Sequence, residues 1–290
     1  MTENISTLLS QVATIAVVRC SAPGLKRLDK NACRKAERDH GAIQGSVNLT
    51  VSRLAGAEAK VKYITDHHTA ARALLTENTT AWGDRRLLPN TRLEKFMGPW
   101  GKLKGDHDKA VEDFLGEAPD LIAEAEHNKG DFSVKVPTLS ELQHAFSMTF
   151  ALEPVPDVST YRSGNLDKAL EKVLKERFEA NIKAAYTEAQ VDAVQRIAKP
   201  LENMITQLSK YDKKETNRIY DSLVGNVQEI AEVFGEWNLT NDPMMKRLDD
   251  ALSAFGGIEA DDLKTSPELR KDVTSRAAKI LEEIRAGGYL

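Results

Sequence analysis

The stretch NLDKALEKVLKERFEANIKAAYTEAQVDAVQRIAKPLENMITQLSK, residues 165–210, decides the fold. Apolar residues recur at Leu166, Leu170, Leu174, Phe178 and Ile182, then at Val194, Ile197, Leu201, Met204 and Leu208. Steps of three and four are the stripe of a long helix packed against another helix. Pro200 falls inside the stripe and predicts a kink or a break, because proline lacks the amide that continues a helix. Residues 216–234 repeat the pattern through Ile219, Leu223, Val227, Ile230 and Phe234. The two segments therefore predict an antiparallel helical hairpin turning around residues 210–215. A helix of about 40 residues spans ~60 Å and outruns a small core. That length points to a second copy of the chain, a homodimer through the C-terminal helices, as one partner.

Outward from the hairpin the punctuation is clear. Asn241-Asp242-Pro243 predicts a capped helix start with proline at the first helical position, ending at Gly256-Gly257. Ser266-Pro267-Glu268 repeats the start signal, and Gly287-Gly288 supplies a stop. Toward the N-terminus, EPVPD (153–157) separates the helical part from a more mixed one. VATIAVVRC (12–20) is short and β-branched and predicts a buried strand. Residues 25–39 contain a short helix that ends before Gly41. SVNLTVSRL (46–54) predicts a second strand, and residues 55–78 a helix. The glycines and prolines of residues 79–105 predict an irregular segment. A helix over 106–127, a turn and short strand over 129–137, and a helix over 139–150 follow. Thr138-Leu139-Ser140-Glu141 is a capping box for the last of these. The expected class is mainly α with a few short β-strands in the N-terminal half (α+β), and a long helical hairpin in the C-terminal half. The expected division is a basic mixed part, residues 1–160, and an acidic helical part, residues 161–290.

Charge divides the chain more sharply than its net of −4 suggests. Residues 1–105 carry 17 Lys and Arg against 9 Asp and Glu, and residues 106–290 carry 23 against 35. Such asymmetry points toward a polyanion on one side. The 41% hydrophobic content supports a core. No apolar run approaches the ~20 residues of a membrane span. The stretch Val12–Val18 also lacks the features of a secretory signal. Cys20 and Cys33 have neither CxxC nor Cys/His ligand spacing and read as reduced thiols of a cytoplasmic protein.

The cations form two clusters. Lys26, Arg27, Lys30, Arg34, Lys35 and Arg38 make the first. Arg85, Arg86, Arg92, Lys95, Lys102 and Lys104 make the second, with Trp82, Phe96 and Trp100 interleaved and Tyr63 on the preceding helix. Single-stranded nucleic acid is held by cations that track phosphates and flat side chains that stack on bases. The competing expectation is that Trp82 and Trp100 anchor a core and the cations form a solvated face. Asp66-His67-His68 suggests a metal phosphoesterase, but adjacent histidines on a helix point about 100° apart. An exposed pair is the simpler expectation. Asp106-His107-Asp108 reads as the first turn of a helix, where carboxylates favour the dipole. Gly98-Pro99-Trp100-Gly101-Lys102 lacks phosphate-loop spacing. With no GxSxG, no HExxH and no Cys/His/Asn set, the sequence points to a protein that is not an enzyme and needs no metal or other cofactor.

Longer strings carry a resemblance. RRLLPN (85–90), VEDFLGEAPDLI (111–122), VPTLSELQHAF (136–146), EPVPD (153–157), RIYDSLVGNVQEIAEVFGEWNLTNDP (218–243) and SPELRKDVTSRAAKILEEI (266–284) occur in an order that resembles an all-helical phage and plasmid family. Some of its members are encoded beside an AAA ATPase. That resemblance implies an adaptor that docks on such an ATPase. In size and charge split the chain also resembles the Drc family, the single-stranded-DNA-binding RNA polymerase cofactors of the Schitoviridae phages. This second resemblance implies an early protein in the host bacterial cytoplasm that binds single-stranded DNA at early promoters and recruits a phage RNA polymerase. A Trp usual shortly after the first strand is replaced here by Ser21-Ala22-Pro23-Gly24.

Overall fold

The computed structural model describes residues 4–162, 164, 167–211 and 218–289. In chain order the described elements are α1 (Ile5–Val12), β1 (Ala13–Ser21), β2 (Lys26–Leu28), α2 (Lys30–Asp39), β3 (Thr50–Ser52) and α3 (Glu58–Asn78). β4 (Thr80–Trp82), β5 (Arg85–Pro89), α4 (Leu93–Asn128), α5 (Leu139–Ala145) and β6 (Ser147–Pro154) follow. The last are α6 (Lys168–Lys210), α7 (Asp221–Phe234), α8 (Pro243–Ser253), α9 (Ala260–Thr265) and α10 (Pro267–Ala286). The fold is mainly α, with a four-stranded sheet in the order β4-β5-β1-β6 and a two-stranded β2-β3 pair.

The chain folds into two compact units that interleave in sequence. The first comprises Met1–Val17, Thr76–Glu94 and Leu152–Leu290, and the second Val18–Leu75 and Lys95–Ala151. This partition takes residues from both sides of the expected 160/161 division. Its boundaries fall inside β1, α3, α4 and β6.

In the first unit α6 is the spine. Its Ile182, Tyr186 and Ala189 pack with Leu9 of α1, Ala13 and Ile15 of β1, and Leu87 of β5. Further along, Ala193, Val194, Ile197, Leu201, Met204 and Leu208 enter a larger core with α7, α8, α9 and α10. Burying each large side chain of this set contributes about 1.5–3 kcal/mol. Between the two cores, Asp192 Oδ2 accepts from the Ala81 amide at 2.7 Å, from Arg86 at 3.2 Å and from Arg196 at 2.6 Å. Antiparallel register places Ala13 opposite Pro89 and Ile15 opposite Leu87. β4 and β5 pair through Trp82 and Arg85 across a tight turn at Gly83, whose φ of 57° is left-handed and favours glycine.

The second unit has its own core. Leu54, Ala57, Val61 and Ile64 pack with Phe114, Ala118 and Ala125 of α4, and with Val136 and Leu142. The Thr138/Glu141 capping box forms as the sequence predicts.

Several expectations are corrected. Residues 79–105 are not an irregular segment: they form β4, β5 and the start of α4, which runs unbroken past Pro99 and Pro119. Phe96, Trp100, His107, Phe114, Ala118 and Ala125 form its buried face, while Gly98, Gly101, Gly105, Gly116 and both prolines are exposed. On the solvent side of a curved helix the ladder bonds are already lengthened, so losing one there costs least. Asp106-His107-Asp108 consequently lies in mid-helix, not in a first turn. Pro200 does not break α6 either, since Ile197, Ala198, Leu201 and Met204 are all buried around it. Residues 129–137 contain no strand, although Val134 and Val136 are buried in alternation. The helix expected to reach Phe150 stops at Ala145. Phe146 turns extended and Ser147–Pro154 joins the sheet. α7 begins at Asp221, and the expected hairpin turn after Lys210, like Leu166 of the stripe, lies outside the described residues. The capped starts at Asp242-Pro243 and Ser266-Pro267 are as predicted.

Asp192 is the polar junction of the first unit, and its replacement gives a direct test. Asp192→Asn should lower the free energy of unfolding by about 2 kcal/mol, since a half-buried Arg86 then loses its counter-charge. Urea titration of the variant beside the parent chain checks this. An unchanged midpoint would remove the junction from the list of stabilising contacts.

Candidate nucleic-acid interface

The first basic cluster is built on β2 and α2. Asp29 ends the strand and starts the helix. Its Oδ1 accepts from the amides of Asn31 at 2.9 Å and Ala32 at 3.0 Å, capping α2. The same carboxylate accepts from the Ser133 amide at 2.6 Å and the Ser133 hydroxyl at 2.7 Å. The Ala32 amide, the Ser133 hydroxyl and the other two amides hold the Asp29 carboxyl below the usual carboxylate range. The helix start is thus charged, capped and fixed to the Phe132–Ser133 segment.

α2 turns a small buried face inward. Cys33 and Glu37 lie on it, one turn apart. Glu37 Oε1 accepts from the amides of Gly45 at 2.6 Å and Val47 at 3.4 Å, which holds the loop that follows the helix. On the remaining faces Lys30, Arg34, Lys35 and Arg38 are exposed, as are Lys26 and Arg27 on β2. Lys30, Arg34 and Arg38 recur every four residues and therefore share a face. Arg34 and Arg38 also line an open concavity of about 670 Å³ with Asn31, Glu37, Gly41, Ala42 and Gln44, the Glu37 carboxylate being engaged by the Gly45 and Val47 amides. Among the described residues none of these six side chains is in an ion pair. Lys26 lies near the Glu58 carboxylate, and its charge contributes to lowering that group's pKa.

The second cluster is spent differently. Arg85 pairs with Glu153 and Asp84. Arg86 donates to the Thr79 carbonyl at 2.9 Å and to Asp192, and burial pushes its pKa down against the opposing pull of Asp192. Arg92 is buried, donating to Asn78 Oδ1 at 2.8 and 3.1 Å and to Glu236 at 3.1 Å. Lys104 pairs with Asp108, while Lys95 and Lys102 are exposed. Trp82 is half-buried against the core that α1, β1, β5 and α6 share. Trp100 is buried, stacked on Phe96 at 5.9 Å and against Phe150 at 5.4 Å, so its faces are taken by other rings rather than offered to a base. The cluster is also divided: Trp82, Arg85, Arg86 and Arg92 belong to the first unit, and Lys95, Trp100, Lys102 and Lys104 to the second.

Sequence reasoning missed Phe132. It is 46% exposed and precedes the Ser133 that binds Asp29, so an exposed apolar ring is carried on the segment tied to the cap of α2. The available signal was a lone aromatic next to the Gly130-Asp131 turn. Tyr63 is 60% exposed and lies edge-on to His67 at 4.9 Å.

The histidines are not an exposed pair. His67 Nδ1 bonds the Tyr63 carbonyl at 2.9 Å, whereas His68 is buried with its Nε2 3.1 Å from His107 Nε2. His107 Nδ1 lies 3.0 Å from Asp108 Oδ1. Asp66 pairs with Lys62. Among the described residues no three His, Cys, Asp or Glu side chains converge as a ligand set. Comparison of the chain with protein-family models, curated proteins and solved structures finds no match.

The buried histidine contact carries a pH signature. Burial first, then the charges of His107, Arg72 and His67, holds the pKa of His68 down at about 4, against 6.5 for the free side chain. Between those values the unfolded chain binds a proton that the folded chain refuses. The stability contribution is therefore full above about pH 7 and drains away as pH falls toward 4. Unfolding midpoints should drop steadily between pH 7 and 4.5, and His68→Gln should flatten the slope. A slope identical in parent and variant would contradict this origin.

Proposed function

We propose that the chain is a non-enzymatic protein that binds single-stranded DNA through β2 and α2. The carrying observation is one short segment with six exposed cations, none ion-paired among the described residues, capped rigidly by Asp29. Phe132 and Tyr63 supply exposed rings in the same unit. Cations held on a fixed helix lose less freedom on meeting phosphates than mobile ones do. Exposed rings give unpaired bases a stacking surface worth about 1–3 kcal/mol per base, which a duplex cannot use. The Asp29 carboxylate occupies the helix N-terminus, so phosphates are assigned to the side chains of Lys30, Arg34 and Arg38. The resemblance to the phage cofactors adds the setting: recruitment of a phage RNA polymerase at early promoters.

Titration of labelled oligothymidine tests the binding. Affinity should fall as salt rises from 50 to 200 mM, with single strands preferred over duplex. Lys30→Ala, Arg34→Ala and Arg38→Ala combined should weaken binding at least tenfold and reduce the salt slope by about 2, at ~0.7 per lost phosphate contact. Arg85→Ala with Arg86→Ala should instead lower thermal stability and leave binding per folded molecule unchanged. Affinity indifferent to salt, or to the triple change, would falsify the proposal.

A further inference from the structure

A cleft of about 890 Å³ opens within the first unit. It lies in the size range of ligand-binding cavities. Residues 76–78 and Arg92, the middle of α6, the second half of α7 and Trp237 form its walls. Its floor is apolar, with Pro200, Ile230, Val233 and Trp237.

The charges around it are unequally spent. Arg92 is engaged by Asn78 and Glu236. Arg196 is engaged by Asp192 and by the carbonyls of Thr76 and Thr79, with its guanidinium 5.2 Å over the Trp237 ring. On the rim, Glu77, Glu229 and Glu232 are exposed, and among the described residues none is in an ion pair. Lys199, also exposed, lines the same cleft and among the described residues is in no ion pair. The cleft thus offers more unneutralised negative than positive charge over an apolar floor.

Trp237 adds an independent observation. It is 3% exposed, and its indole Nε1 is buried with no acceptor among the described residues. A buried donor left unsatisfied costs about 1–3 kcal/mol and requires an explanation. The ring itself lines the cleft, so the indole reports on whatever occupies it.

The geometry points to a docking site for a basic peptide segment of a protein partner. A lysine or arginine side chain of that segment pairs with Glu229, Glu232 or Glu77. Its aliphatic stem covers Ile230 and Val233 beside the Trp237 ring. Charge complementarity selects this occupant, since the same surplus of carboxylates repels the phosphates of a nucleic acid. The site is separate from α2 and does not depend on DNA binding there.

Nuclear magnetic resonance of the full chain tests it, with the indole N–H signal of Trp237 identified by its loss in Trp237→Phe. The probe is an acetylated, amidated Gly-Lys-Leu-Arg-Gly peptide, and the control replaces its two cations with Glu. The basic probe should shift the Trp237 indole signal with saturation, and the acidic control should not. Glu229→Gln with Glu232→Gln should weaken that binding at least tenfold while leaving the unfolding midpoint unchanged, because both side chains are exposed. The triple change Lys30→Ala, Arg34→Ala, Arg38→Ala should leave peptide binding intact, which separates this site from the proposed DNA surface. The inference is overturned if neither peptide moves the indole signal, if both bind equally, if the double Gln variant binds as the parent does, or if an oligonucleotide saturates the signal instead.

Discussion

Burial of one face of α6 is the constraint on which the first unit depends. From Ile182 to Ala189 that face packs with α1, β1 and β5, and from Ala193 to Leu208 with the helices that follow. A single rigid element therefore joins two cores, and Asp192 stands where they meet. Its carboxylate takes a β4 amide and two guanidinium groups. Burial pushes its pKa up while Arg86 and the Ala81 amide pull it down. Such a group holds its place only while its partners stay close.

The same accounting decides which cations are available. Composition makes the residues 85–104 cluster the more attractive one, because tryptophans lie among its arginines. In the folded chain Arg86 and Arg92 are internal struts, Arg85 answers Glu153, and Trp100 is a core ring. The cluster at residues 26–38 has no aromatic of its own, yet its charges face solvent unanswered by any ion pair among the described residues. Phe132, distant in sequence, reaches the same segment because Ser133 binds the cap of α2. Charge is available where packing leaves it, and composition alone does not report that.

The rim of the cleft follows the same logic with opposite sign. Arg92 and Arg196 line it but are held by carboxylates and carbonyls of the unit itself. The rim carboxylates outside any ion pair among the described residues include Glu229 and Glu232, one helical turn apart on α7. Both lie beside the apolar Ile230 and Val233 that line the same cleft.

Local chemistry by itself determined much of this protein. The buried stripe from Ile182 to Leu208, the capping box at Thr138, the Asp242-Pro243 and Ser266-Pro267 starts and the strand at residues 13–21 all follow from spacing, capping geometry and side-chain shape, which act within a few residues, whereas Leu170 and Phe178 of the same spacing stay exposed. Tertiary structure decided the rest. Pro99 and Pro200 lie inside helices because buried residues on either side outweigh the missing amide bonds. Phe146 leaves a helical path because a sheet is there to receive Ser147–Pro154. Whether Trp100 meets a base or Phe150, and whether Arg86 meets a phosphate or Asp192, depends on residues 50 and 106 positions away. No local pattern encodes such distances, because packing energy is shared among residues that only the folded chain brings together.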